Sequence, residues 1–251
     1  GRLAFCYATK GCKYYQDPKG FVQYYEDAFR RCSQLQDDTI PRLRPPFSHA
    51  LIAGILGAEV ELVNDVLWAK PMLESWDQIE HLTLDRSSPW ARCFQNFYRD
   101  LLGLARGNFA VTVYETQGPG DLMAALRGPE QLCLDCYDSP DEVKRLGRKC
   151  LEISKEFGRW QHELIADQDQ HGGTWITLGW APPGSMYFCE HSIVSYSPDT
   201  YREFIYPLDK GLTDSFEHCM FVGYCHTAAP LMDFYLGLKK VEVIQSCEAN
   251  L

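Results

Sequence analysis

The chain has 251 residues, of which 45% are hydrophobic and 23% charged, and a formal net charge of −10. That length supports a sizeable core. The acidic balance, relieved only by isolated pairs such as Arg30-Arg31 and Lys239-Lys240, excludes a nucleic-acid surface or a patch for anionic membranes as the expected partner.

No stretch reaches the roughly 20 consecutive apolar residues of a membrane span. Gly1-Arg-Leu-Ala-Phe-Cys6 lacks the charged start and long apolar centre of a secretory signal. The 11 cysteines are odd in number and follow no repeating framework. They read as reduced thiols of a cytoplasmic enzyme, most of them small buried hydrophobes. Cys133-x-x-Cys136 sits inside a helical pattern and lacks the second pair that a zinc ribbon needs.

Phe21, Tyr24, Tyr25, Ala28 and Phe29 recur at helical spacing and predict the first helix. Prolines keep residues 40–47 out of a helix, as an extended piece or a loop at a strand end. Ser48 is placed to cap a short helix that Gly57 stops, and Glu59-Val-Glu-Leu-Val63 alternates as a strand. Residues 75–84 read as short and helical. Ser88-Pro89 marks a helix start that carries Phe94, Phe97, Leu101 and Leu104 to a stop at Gly107-Asn108. Residues 109–115 are β-branched and aromatic, hence a strand.

Helices over 120–126 and 140–162 follow, then a strand over 173–179 and a helix start at Ser197-Pro198. A helix over 206–219, a strand over 220–225, a helix over 230–236 and a strand over 241–247 complete the chain. Strands alternating with helices predict βαβ units and a parallel sheet. No Pro/Ser-rich linker divides residues 1–251, so one domain is expected.

Three stretches are distinctive. The first is Gly118-Pro-Gly-Asp-Leu-Met-Ala-Ala-Leu-Arg-Gly-Pro-Glu130, running on into Leu134-Asp-Cys-Tyr-Asp-Ser-Pro140. The others are Ser197-Pro-Asp-Thr-Tyr-Arg-Glu-Phe-Ile-Tyr-Pro207 and Gly223-Tyr-Cys-His-Thr-Ala-Ala-Pro-Leu-Met232. Through them the chain from Gln36 onward resembles the uroporphyrinogen decarboxylase superfamily. The resemblance implies a (β/α)8 TIM barrel with its chemistry at the C-terminal ends of the strands. It also implies an incomplete barrel, with strands up to about the sixth present, truncated at the C-terminus and also at the N-terminus.

Two chemistries come with the resemblance. The decarboxylases hold carboxylates on an early arginine-rich segment and set an anion against the cation that develops on a protonated ring. Here that segment has no match, Arg44 falls near the expected Asp, and His191 aligns with the expected Ser, beside Ser192. The corrinoid-linked methyltransferases bind zinc through His-x-Cys at the end of the fifth strand, with a later Cys, and use it to stabilise a thiol anion. Cys225 matches that Cys, Gly223 stands at the His position, and His226 is adjacent.

The resemblance therefore implies a methyltransferase moving a methyl group between a small methylated substrate or thiol and cobalamin on a partner corrinoid protein. Its zinc ligands are expected among Cys225, His226 and Glu248. The alternatives are a cofactor-free uroporphyrinogen III decarboxylase of porphyrin and heme biosynthesis, and a non-enzymatic tetrapyrrole or corrinoid binder.

Catalytic candidates are Glu190, His191, Glu115 and Tyr114. Glu190-His191 follows the fourth strand, where Glu190 is a metal ligand or general acid/base, or else an exposed loop carboxylate. Glu115 and Glu248 end strands three and six, facing the active end of a barrel or capping neighbouring helices. Tyr114 is a hydrogen-bond donor to substrate or an aromatic of the barrel wall. Trp180 and Met186 flank Pro182-Pro183-Gly184 as an apolar lid for a ring or corrinoid, or as an ordinary hydrophobic plug. His49, His81, His162 and His218 lie in helical patterns, as surface or satisfied core residues.

Overall fold

The computed structural model of the protein describes residues 12–32, 40–105, 108–166, 173–176, 179–223 and 230–246. In chain order the elements are α1 (Pro18–Cys32), β1 (Arg42–Leu43), α2 (Ala50–Ile55), β2 (Val60–Val63) and β3 (Val66–Ala69). A 3-10 turn (Trp76–His81) leads to α3 (Pro89–Ala105), β4 (Ala110–Val111), β5 (Thr116–Gln117), α4 (Pro119–Arg127), α5 (Pro129–Asp138) and α6 (Pro140–Leu164). Then come β6 (Thr174–Ile176), β7 (Gly179–Ala181), β8 (Met186–Cys189), α7 (Pro198–Phe204), α8 (Tyr206–Thr213), β9 (Cys219–Gly223), α9 (Met232–Leu236) and β10 (Val241–Ser246).

Proline stands in the first turn of each helix from α4 to α8. A helix start has an unbonded N–H at that position in any case, so the missing donor costs nothing there. Ser197 completes the α7 start, its Oγ accepting from the Thr200 amide at 3.1 Å.

The chain is mixed α/β with parallel sheets. β1 pairs with β4, and β5, β8, β9 and β10 pair successively, all in parallel. β4 and β5 are the two ends of one extended, buried run over residues 110–117. Three of its central amides find separate partners: Thr112 donates to Leu43 O and Val113 to Trp175 O, both at 2.9 Å, and Tyr114 to Gln161 Oε1 at 2.5 Å. Through that run the parallel strands follow in the order β1, β4–β5, β8, β9, β10, with helices in the crossovers, while β2–β3 and β6–β7 form hairpins of their own. The pairings among the described residues do not close into a ring. Behind the run, Phe94 of α3 packs 5.5 Å from Phe157 and 5.6 Å from Trp160 of α6, ring to ring.

Several expectations are corrected. Residues 59–63 are one arm of an antiparallel hairpin, β2–β3, turning at Asn64 (φ 50°) and Asp65 (φ 64°). Both residues adopt the left-handed backbone that a two-residue hairpin turn demands, and Asn and Asp tolerate it. β6 likewise pairs antiparallel with β7. His49, not Ser48, is the N-cap residue of α2. Ser48 donates its hydroxyl to the Leu67 carbonyl, fastening the hairpin to the helix, and its oxygen accepts from the Ala50 amide at 3.4 Å. Residues 129–138 form a helix of their own, and the helix expected to reach residue 219 ends at Thr213. No helix among the described residues is long and apolar enough to cross a membrane.

Candidate metal centre

Side chains alternate along the run through β4 and β5, so Glu115 and Gln117 share one face and Tyr114 takes the other. Tyr114 turns to the helices, its ring 6.2 Å from Phe94 and 6.3 Å from Phe157. Burial keeps its phenol neutral, well above the ordinary range. Glu115 is 2% exposed and meets the Arg44 guanidinium at 2.5 Å. Burial opposes its ionisation, but the Arg44 guanidinium outweighs burial and holds the carboxyl below its usual value.

At the C-terminal ends of β5 and β8 two carboxylates are exchanged. Glu190 accepts from the amides of Gly120 (2.8 Å) and Asp121 (2.7 Å), unpaired donors at the start of α4. Asp121 reaches back, its Oδ1 accepting from the amides of His191 (2.7 Å) and Ser192 (2.6 Å). Glu190 is therefore bound to the helix start. Burial, then repulsion from Asp209 and Asp121, pushes its carboxyl well above the ordinary range.

This reciprocal clamp leaves Asp121 Oδ2 only 3.9 Å from Cys189 Sγ. The same sulfur lies 3.4 Å from His49 Nδ1. The rings of His49 and His191 meet edge to face at 4.7 Å. One ligand atom from each of His49, Asp121, Cys189 and His191 falls within 4.8 Å of the others.

The electrostatics favour a cation here over a free nucleophilic thiol. A reactive thiolate needs positive neighbours. Cys189 instead has a thiol pushed well up by burial and by the charges of Glu115, Asp121 and Glu190. Burial also holds His49 below the ordinary histidine value, as a neutral imidazole. A divalent cation reverses the penalty on the thiolate, and imidazole, carboxylate and sulfur are all donors that zinc takes; three of the four would hold it and leave its fourth position open. The residues fit the metal.

The group opens on a cavity of about 600 Å³. His49, Asp121 and His191 line its polar side with Ser48, Gln117 and Ser192; Val66, Leu67 and Trp68 of the hairpin and Ala124 and Ala125 of α4 are part of its apolar side. Ligand-bearing strand ends beside such a crevice are the usual place for chemistry in parallel α/β sheets.

Of the residues singled out from the sequence, the structure brings His191 into the group and Glu115 beside it. Tyr114 and Glu190 do not line the cavity. Trp180 is 52% exposed and faces Trp175 across the β6–β7 hairpin. Met186 packs on Gly158 of α6 at the entry of β8, the end opposite Cys189. The apolar wall expected from Trp180 and Met186 is supplied by Trp68 and its hairpin, because the Pro182-Pro183-Gly184 loop precedes its strand instead of following it. Cys225, His226 and Glu248 lie outside the described residues.

His49, Asp121 and Cys189 escaped the sequence reading. One signal was present: Cys189-x-His191 has two-residue spacing, which directs both side chains to one side at a strand end.

No protein-family profile and no curated protein matches the sequence. A solved structure, a methyltransferase from Methanosarcina mazei, superimposes with a TM-score of 0.64 over 95% of this chain and 72% of that one, at 11% identity. The chain is thus similar in fold to that methyltransferase.

Proposed function

We propose that this protein is a zinc-dependent methyltransferase of the corrinoid-linked branch of the uroporphyrinogen decarboxylase superfamily, built on part of a (β/α)8 barrel. It would move a methyl group between a small methylated substrate or thiol and cobalamin on a partner protein. The observation that carries the reading is the buried His49–Asp121–Cys189–His191 group opening on an apolar cavity. The parallel run of strands and the fold likeness support it.

When bound, zinc stabilises the anion of a sulfur nucleophile at neutral pH. The protein's own residues do the rest. His49, held neutral by burial, presents its imidazole beside that of His191, and the His191 and Ser192 amides fix the Asp121 carboxylate. Arg44 neutralises Glu115 behind the thiol, so that Cys189 faces one fewer uncompensated negative charge. Val66, Leu67 and Trp68 keep water from the apolar side.

The test is metal content followed by turnover. One zinc per chain is expected, with demethylation of methylcobalamin by a thiol followed through the corrinoid spectrum. Cys189→Ser should lose both; Cys225→Ser, run alongside, separates this group from the Cys225, His226 and Glu248 set. Absence of stoichiometric zinc together with full turnover in Cys189→Ser overturns the proposal.

A further inference from the structure

Two polar side chains on the cavity wall each bury an oxygen that no described residue bonds. Gln117 is 2% exposed, and its Oε1 has no hydrogen-bond partner among the described residues. The Ser192 hydroxyl is buried and unpartnered in the same way. Both residues line the cavity. We infer that they form a hydroxyl-binding subsite, so that the molecule taken up is a small hydroxyalkyl thiol or its methyl thioether, its O–H read by the Gln117 carboxamide and the Ser192 hydroxyl. The inference deepens the proposed function by naming its substrate class, and it rests on that reading for the place of the sulfur.

The backbone around Gln117 fixes where its side chain goes. The Gln117 carbonyl accepts from Ser154 Oγ of α6 at 3.2 Å, and the next amide, Gly118, donates to the Cys189 carbonyl at 2.8 Å. In the parallel β5–β8 pair, Gln117 is the register partner of Cys189. Register partners direct their side chains to the same face, and neighbouring strands lie about 4.8 Å apart. The carboxamide therefore stands beside the His49–Asp121–Cys189–His191 group without belonging to it. Ser192 follows directly on His191. Its amide is spent on Asp121 Oδ1 at 2.6 Å, which leaves the hydroxyl for a ligand.

A buried amide oxygen without a donor carries a desolvation cost that a ligand O–H removes. A hydroxyl both donates and accepts, so it can give its proton to Gln117 Oε1 while accepting from Ser192 Oγ, and it meets the carboxamide equally well turned end for end. A methyl in its place does neither, and a site whose polar groups are left unpaired discriminates against it. Val66, Leu67 and Ala125 are apolar surfaces for the alkyl chain between sulfur and hydroxyl.

The experiment compares 3-mercapto-1-propanol with 1-butanethiol, which carries a methyl where the first has its hydroxyl. Each is titrated into the zinc-treated full chain by isothermal calorimetry. The alcohol should bind at least about tenfold more tightly, the worth of one or two neutral hydrogen bonds. Gln117→Leu should cut that ratio to about threefold or less by weakening the alcohol while leaving butanethiol unchanged, which a general loosening of the wall would not do. Ser192→Ala keeps the amide that holds Asp121, should lower the ratio in the same way, and decides the matter if Gln117→Leu does not fold. A ratio lowered in either variant upholds the subsite. Equal or tighter binding of butanethiol by the unmodified chain, no heat from either thiol, or a ratio that moves in no folded variant overturns it.

Zinc stoichiometry, measured first by mass spectrometry, reports separately on the proposed function. If no zinc is retained, that reading fails, and the same titrations on the metal-free chain judge the subsite by the same ratio.

Discussion

The sulfur of Cys189 lies 3.4 Å from Nδ1 of His49, although 140 residues separate the two along the chain. The chain passes through helical crossovers before Cys189, at the end of β8, meets the start of α2. Cys189→Ser exchanges a soft ligand for a hard, weakly acidic one and should lower zinc affinity at least about 100-fold. Competition with a chromophoric chelator measures this, and urea unfolding of the metal-free proteins checks that the loss is one of ligation. An unchanged affinity would remove Cys189 from the centre.

Arg44 and Glu115 form a nearly dry ion pair, with side chains 11% and 2% exposed. Breaking one side leaves a buried charge unpaired. Arg44→Met should therefore destabilise the fold by about 3–5 kcal/mol. Arg44→Met with Glu115→Gln should recover most of that, because no charge remains stranded. Urea midpoints of the three proteins decide it; a cost for Arg44→Met equal to that of the double variant contradicts the pairing argument.

A pH effect follows from Asp209. Burial raises its carboxyl to about 7, against the lowering hydrogen bond from the Tyr201 hydroxyl at 2.6 Å. The folded value lies above the unfolded one, so the folded protein holds the extra proton. Its contribution to stability is full below about pH 4, the unfolded value, and fades as pH rises through the folded value. Glu115 has the opposite sign: its folded value is depressed, and its contribution fades as pH falls. Asp209→Asn mimics the protonated group, so denaturant midpoints should decline less steeply for the variant than for the parent between about pH 4 and 7. Identical slopes would show that Asp209 does not titrate in this window.

Gly118 needs its missing side chain for reasons of space. Its φ of −66° is available to any residue, but a Cβ there would come within 2.8 Å of Glu190 Cγ and closer still to the carboxylate. Gly118→Ala should displace Glu190 from the α4 amides and cost about 1–3 kcal/mol. Thermal unfolding measures the cost. A neutral Gly118→Ala would mean that the carboxylate is not seated against the helix start.

Helix starts were legible because Ser-Pro and Gly-Pro pairs restrict the backbone locally: Ser88-Pro89, Ser139-Pro140 and Ser197-Pro198 all precede helices in the structure. The β2–β3 and β6–β7 hairpins were read as single strands because their partners follow within a few residues. Alternation identifies a strand but not its direction of pairing. In the site, His191 was visible from its place after a strand. His49 and Asp121 were not, since each looks like an ordinary helix-start residue until folding sets it beside Cys189. Glu190 was singled out by the same place after a strand and Tyr114 by its strand end, but what each touches, the α4 amides and the α3 and α6 aromatics, is set by tertiary packing.

The β2–β3 hairpin pairs only within itself, yet it contributes Val66, Leu67 and Trp68 to the cavity. The hairpin carries none of the four candidate ligands, so part of the cavity wall comes from a ribbon whose own pairing does not depend on the strand ends where those ligands sit. A change of side chain there alters the wall without touching the ligand-bearing segments.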